Sequence, residues 1–239
     1  MNVPELFTIH EKFLLLSGIA RKRFDGTLAG QLLLREGFDA NGVAVLVAGS
    51  VAGAASLCVD EDGARLRAGL RAGFCDFVVG HLDEALRILK NEVRRALPVS
   101  VGLTAEPETC LRAMAERGVQ PDLLSMASGA AQLLVERGAV LLPELPQHDG
   151  ETSLLCWSVA AGAGRTMPQI ARIAAEALDP RRDETPARRR WLETAPRYLG
   201  RAFAGRQCVR MTETEAAAFS ERAQAEVPDV TIHDVGKAG

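Results

Sequence analysis

Residues 31–60 read QLLLREGFDANGVAVLVAGSVAGAASLCVD, and this stretch decides the fold. Gln31 to Arg35 contains the continuous apolar run Leu32-Leu33-Leu34, the mark of a short strand buried on both faces. Gly37 follows at once, and then Asp39 and Asn41, residue types suited to a helix N-terminus. Asn41 to Ala55 is apolar, alanine-rich and long enough for a helix. Ser56 to Val59 reads as a second strand, closing on the acids Asp60-Glu61-Asp62. A strand, a glycine turn, a buried helix and a second strand within about thirty residues make one βαβ unit of a parallel sheet.

The alternation continues outward. Ala64 to Ala72 predicts a helix, Cys75 to Val79 a strand, and Leu82 to Ala96 a helix with Leu82, Ala85, Leu86, Leu89 and Val93 on one stripe. Val99 to Leu103, Glu106 to Arg117, Leu123-Leu124, Gly129 to Glu136 and Ala139 to Leu142 repeat strand and helix in turn. The expected fold is therefore α/β: a Rossmann-like, doubly wound, mostly parallel sheet with helices on both faces. Upstream, Pro4 opens an amphipathic helix that ends in Arg21-Lys22-Arg23. Downstream, Pro143 to Gly150 reads as a linker, followed by a smaller C-terminal α/β segment. That segment has strands at Leu154 to Ala160 and Gln207 to Met211, and helices at Met167 to Leu178 and Arg188 to Phe203. Pro196 should interrupt the second helix. Thr212 and Glu215 are spaced as a capping box for one more helix, and Val230 to Ile232 is a candidate final strand.

Composition narrows the functions. The hydrophobic fraction of 47% supplies a full core, and a net charge of -3 argues against a general nucleic-acid or membrane-surface role. No run reaches the roughly 18 apolar residues of a membrane span, and the N-terminus lacks the basic start of a signal peptide, so a cytoplasmic protein is expected. Five cysteines (Cys58, Cys75, Cys110, Cys156, Cys208) lie far apart without a CxxC pair. They read as free thiols, mostly buried, with no metal site. His10, His81, His148 and His233 show no metal-ligand spacing, and Arg188-Arg189-Arg190 reads as a solvated face.

Several ordered motifs carry a resemblance. Ala20-Arg-Lys-Arg-Phe-Asp-Gly-Thr-Leu-Ala-Gly30 leads into the first strand, and Gly37-Phe-Asp-Ala-Asn-Gly-Val-Ala44 forms the following loop. Leu57 to Asp76 contributes Arg65 and Asp76, and His81-Leu-Asp-Glu-Ala-Leu86, Ser100-Val-Gly-Leu103 and Arg117-Gly-Val-Gln-Pro-Asp122 come next. In this order they resemble the Rossmann-like domain of urocanase, the NAD-dependent urocanate hydratase family, from about Ala20 to Leu124. Weaker echoes stand at Cys156-Trp157, Arg190-Trp-Leu192 and Arg206-Gln-Cys208. The resemblance implies three regions: an N-terminal helix over 1–24, the urocanase-like Rossmann domain over 25–145, and a remnant of the urocanase core over 151–239. In that family the Rossmann-like domain is inserted into a core built from both chain ends, most of which has no counterpart in these 239 residues.

The resemblance also implies a cofactor, a reaction in histidine degradation and a dimer. NAD acts there as an electrophile that bonds the substrate imidazole, and a glycine-rich turn lets backbone amides approach its pyrophosphate. The matched remnants of that nucleotide site are Gly37, Gly42, Ala44, Asp60, Arg65 and Ser128. Three family glycines read here as Asp39, Ala40 and Val43, an asparagine as Glu106, and most of a further contact is lost over Ala127 to Gln132. Asp39 is either a helix N-cap or a charge that repels phosphate by roughly 4 kcal/mol at about 4 Å and an effective dielectric of about 20. Asp60 stands where the family has a ribose-binding Glu, and reads either as that acceptor or as an acidic loop residue. Cys208 matches a family cysteine and is a catalytic candidate beside its reading as a strand-core residue.

Three readings stay open. One is a non-catalytic binding module for a small ligand or partner, without a bound cofactor. The second is a lyase or hydratase-type enzyme using NAD or another nucleotide. The third is a subunit completed by a homodimer or by another chain covering the missing core.

Overall fold

A computed structural model describes residues 4–125, 130–143, 151–159 and 166–235. Helix α1 (Leu6–Arg23) precedes β1 (Leu32–Glu36), α2 (Ala40–Ala52), β2 (Ala55–Asp60) and α3 (Gly63–Ala72). Next come β3 (Phe77–Val79), α4 (Leu82–Arg94), β4 (Val99–Thr104), α5 (Pro107–Glu116), β5 (Leu123–Ser125), α6 (Ala130–Glu136) and β6 (Val140–Leu141). The six strands form one parallel sheet in the order β3-β4-β2-β1-β5-β6. The order reverses between β1 and β5, the position where open α/β sheets place their ligand crevice.

Alternation along the strands divides the core. Leu33 points to the face covered by α1, α2 and α3, while Leu32 and Leu34 point to the face covered by α4, α5 and α6. Helix α2 is buried from Gly42 to Ala52 because α1 lies across its outer side. A helix buried all round has no use for a polar face, which accounts for its Val, Ala and Gly composition.

The C-terminal part builds a second, antiparallel sheet in the order β8-β7-β9, from β7 (Thr152–Val159), β8 (Arg206–Thr212) and β9 (Val230–Asp234). Helices α7 (Thr166–Ala177), α8 (Thr185–Thr194) and α9 (Glu213–Glu226) accompany it. The predicted break at Pro196 is present: α8 ends at Thr194 and a 3-10 turn takes Ala195–Arg197. The capping box is present too, with Thr212 and Glu215 satisfying each other's backbone N–H.

Helix α1 ties the two parts together. Ile9, Phe13 and Leu16 are fully buried in one core with Leu46 and Val51 of α2 and Trp157, Trp191 and Cys208 of the C-terminal part. His10 packs edge-on against Trp191, ring centroids 5.0 Å apart. The expected linker falls largely on 144–150, outside the described residues. Among the described residues no helix is long and apolar enough to cross a membrane, and no cluster of His, Cys, Asp or Glu suits a metal ion.

The arginine run does not form the solvated face its sequence suggests. Arg189 is exposed, but Arg188 is only 2% exposed and pairs with Glu215, itself 4% exposed, at 2.7 Å. Arg190 is half-buried and donates to the Val51 carbonyl at the C-terminal end of α2. The three point in different directions because they occupy consecutive positions on a helix lodged between α1 and the small sheet.

Candidate functional site

The switch point, where open α/β sheets place their ligand crevice, lies at the carboxyl ends of β1 and β5. Arg35, near the end of β1, reaches across it, with its guanidinium donating to the Ser125 carbonyl at 3.0 Å and to Asp39 Oδ1 at 3.2 Å. The loop from Gly37 to Asp39 is pinned at each residue. Gly37 takes a left-handed φ of 81° and gives its N–H to the Val59 carbonyl at 2.8 Å. Phe38 gives its N–H to Asp60 Oδ2 at 2.6 Å, and its ring is fully buried against Gly69 of α3. Asp39 is the N-cap of α2, accepting from the Gly42 N–H at 2.7 Å.

The second glycine is needed for a reason internal to the chain. A Cβ on Gly42 would lie 2.1 Å from the Gly37 carbonyl oxygen. The first turn of α2 therefore presses directly on the loop that precedes it. Ala44, two residues on, is fully buried in the core and does not line the crevice.

Asp60 is not a free acid at the tip of a strand. It is 6% exposed and spends both oxygens on its own chain. Oδ2 accepts from Phe38 N–H and from Arg65 at 3.0 Å, and Oδ1 accepts from Asp62 N–H at 2.8 Å. Asp62 in turn caps α3, accepting from Ala64 and Arg65 N–H, contacts that hold its carboxyl below the usual range. Glu106 does the same for α5. Its side chain accepts from Glu108 N–H at 2.8 Å and Thr109 N–H at 2.6 Å, and those bonds, that to Thr109 foremost, lower its pKa. Three helix N-termini on this rim thus receive negative charge from the protein's own carboxylates.

The structure brings Gly37, Gly42, Asp60 and Arg65 together around one loop. It does not bring Cys208 there. Cys208 is fully buried in β8, its thiol against the Leu6 carbonyl of α1 and its own carbonyl accepting from Trp191 Nε1. Ser128 lies outside the described residues.

Sequence reading missed Arg35 and its neighbour Glu36. Glu36 Oε2 is buried with no hydrogen-bond partner among the described residues. The available signal was two adjacent charges directly after a triple-leucine run, at the strand end where such folds work.

These contacts change the physics expected at Asp39. The Arg35 guanidinium, 3.2 Å from Asp39 Oδ1, offsets part of the charge that would repel a phosphate. The Asp39 oxygen takes the Gly42 N–H, and Asp60 accepts from three donors of its own chain, two on Oδ2 and one on Oδ1. Asp39 and Asp60 thus engage, within the chain itself, the Gly42 amide and the acid that a dinucleotide would call on.

A comparison with known families agrees with the architecture. The family model described as the urocanase Rossmann-like domain matches residues 8–135, more than half of the 239-residue chain. The match begins inside α1 and ends in α6, so it includes the crevice and all three self-capped helices.

Proposed function

Because the chain belongs to the urocanase family through its Rossmann-like domain, we propose that it is a non-catalytic member in which the domain serves as a binding module for a small ligand or a partner chain. One observation carries this reading. In the turn that would face a pyrophosphate, the Gly42 amide is taken by the Asp39 carboxylate, which Arg35 holds in place. The internal hydrogen bonds of Asp60 and the cap on α5 by Glu106 point the same way.

Three measurements test it. Urocanate absorbs in the ultraviolet, so its absorbance should stay constant with the protein in excess. Protein denatured after purification should release no NAD. A site binding NAD with a Kd of about 10 µM would add about 2.7 kcal/mol of stability at a hundredfold excess, so millimolar NAD should leave the melting temperature unmoved. Turnover of urocanate, or stoichiometric release of NAD, would overturn the proposal.

A second reading has its own support. The amides of Ala40 and Asn41, in the first turn of α2, have no side-chain acceptor among the described residues, and Arg35 stands beside them. An enzyme using another nucleotide would need Asp39 to turn aside and leave those groups to a phosphate. A thermal shift with a nucleotide other than NAD would favour this reading. Light scattering separates a single chain from a dimer.

A further inference from the structure

We propose that Cys156 and Cys208 form an oxidisable dithiol, in which Cys156 reacts first with a hydroperoxide and Cys208 then closes a cross-strand disulfide. The two residues are directly opposed in the antiparallel pairing of β7 with β8. Opposed residues in such a pair have Cα atoms about 4.5–5.5 Å apart, within the roughly 4.4–6.8 Å that a disulfide spans. They also project from the same face of the sheet. His233 of β9 is paired with Cys156 on its other side, so Cys208, Cys156 and His233 form one row across three strands.

The two thiols differ as an attacking and a resolving cysteine must. Cys156 is half-buried, whereas Cys208 is closed off beneath the first turn of α1. The hydrogen bond from Cys208 holds the Cys156 pKa below its ordinary value against the opposing effect of burial, and Arg206 helps. Burial pushes Cys208 well up, so it keeps its proton and can donate to Cys156. The other three thiols are buried, and that burial raises Cys58 strongly and Cys75 and Cys110 to about 11. A lowered pKa with access to solvent marks the sensitive thiol.

The chemistry balances with a hydroperoxide as oxidant. The Cys156 thiolate attacks the O–O bond and takes one oxygen as a sulfenic acid, and the other oxygen leaves as hydroxide. The Cys208 sulfur then attacks the Cys156 sulfur, the S–O bond breaks, and the hydroxyl leaves with the thiol proton as water. A dithiol reductant reverses the disulfide. Two reporters are built in. The chain has two tryptophans: Trp157 follows Cys156, and the Trp191 indole is bonded to the Cys208 carbonyl at 2.6 Å.

The test uses the full chain, reduced and then treated with stoichiometric hydrogen peroxide. In the untreated native protein Cys156 should react with a thiol reagent more than about tenfold faster than the other cysteines. After peroxide, alkylation of the unfolded protein should find two thiols lost. The intact mass should fall by about 2 Da, and one peptide pair should join Cys156 to Cys208. Tryptophan fluorescence should change as the bond closes and return on reduction. Cys208→Ala should stop at a sulfenic acid that dimedone traps on Cys156, and Cys156→Ser should form no intramolecular disulfide. Wild-type protein in which Cys156 proceeds to the sulfinic acid while Cys208 stays alkylatable would overturn the proposal, as would linkage to any other cysteine. The wild-type result decides the matter even where a core variant folds poorly.

Discussion

The rim of the large sheet and the face of the small sheet handle polar groups in opposite ways. At the rim, where the family resemblance is dense, Asp39, Asp62 and Glu106 each satisfy the helix that follows them, and Asp60 locks the first loop. In the small sheet, where the resemblance is thin, Trp157 Nε1 and Gln207 Oε1 are buried and unbonded among the described residues, although the two residues face each other in register. The same sheet carries the half-exposed thiol Cys156, and behind it lies the buried Arg188–Glu215 pair. The two regions thus differ in how many of their polar groups are already engaged within the chain. Groups that are already satisfied have little left to offer a ligand, and those that are not remain able to react or bind.

The largest expected effect tests what holds the small-sheet region. Arg188 is bonded to Glu215, to Thr185 and to the Arg210 carbonyl, and Glu215 also accepts from the backbone N–H groups of Asp179 and Thr212. Glu215→Ala should therefore destabilise the fold by about 3–5 kcal/mol in urea unfolding, because it strands a buried guanidinium. Replacing both partners with apolar residues, Arg188→Met with Glu215→Leu, should recover most of that loss. Burial pushes the Glu215 carboxyl up, but Arg188 and the two N–H donors outweigh it and hold the net pKa below the ordinary value. Its contribution is accordingly full above the unfolded carboxyl pKa of about 4.3 and is lost as pH falls through the lower folded value. Glu215→Gln should flatten that acid limb. An unchanged limb would mean that the pair is not what fixes this region.

The next effect sharpens the rim side of the contrast. Gly42→Ala places a methyl against the Gly37 carbonyl, so the loop or the first turn of α2 must shift. A cost of about 1–3 kcal/mol is expected in protein free of any nucleotide. A neutral substitution would mean that this glycine is not held by packing and that close approach of a ligand is the better account of it.

Much of the fold was readable in the chain because its signals are local. Leu32-Leu33-Leu34 declares a strand buried on both faces, Pro196 ends a helix, and Thr212 with Glu215 forms a cap within one turn. The site was readable only in part. Asp39 as an N-cap and the loop glycines follow from nearest neighbours. Arg35 reaching over to Asp39 and Ser125 does not, since Ser125 comes from a strand that is adjacent only after folding. Asp60 reads as an acceptor or a loop acid, whereas its lock on the first loop depends on Phe38, 22 residues earlier. The duty of Glu215 towards Arg188, 27 residues away, was hidden behind its visible role in the capping box. Long-range pairing of charges leaves no periodicity in the sequence, so these partners emerge only with the fold.

The smallest effect on stability carries the most information about the crevice. Asp39→Gly restores a residue that serves nearly as well as an N-cap, at a cost of only a few tenths of a kcal/mol. The ion pair it removes is exposed on the Asp39 side, so its loss adds under about 1 kcal/mol. What changes is the balance of charge: Arg35 is left without its carboxylate beside the freed Gly42 N–H, and the end of α2 becomes an anion site. Isothermal titration with inorganic phosphate and with nucleotides should then show binding by the variant that the parent lacks, weakening as salt is raised. Binding that appears with phosphate alone would locate the closure in Asp39 and leave the Asp60 lock as the barrier to a ribose. Binding that fails with every anion would mean that the Phe38 and Asp60 contacts keep the turn shut by themselves, and that the rim was remade as a unit rather than blocked at one residue.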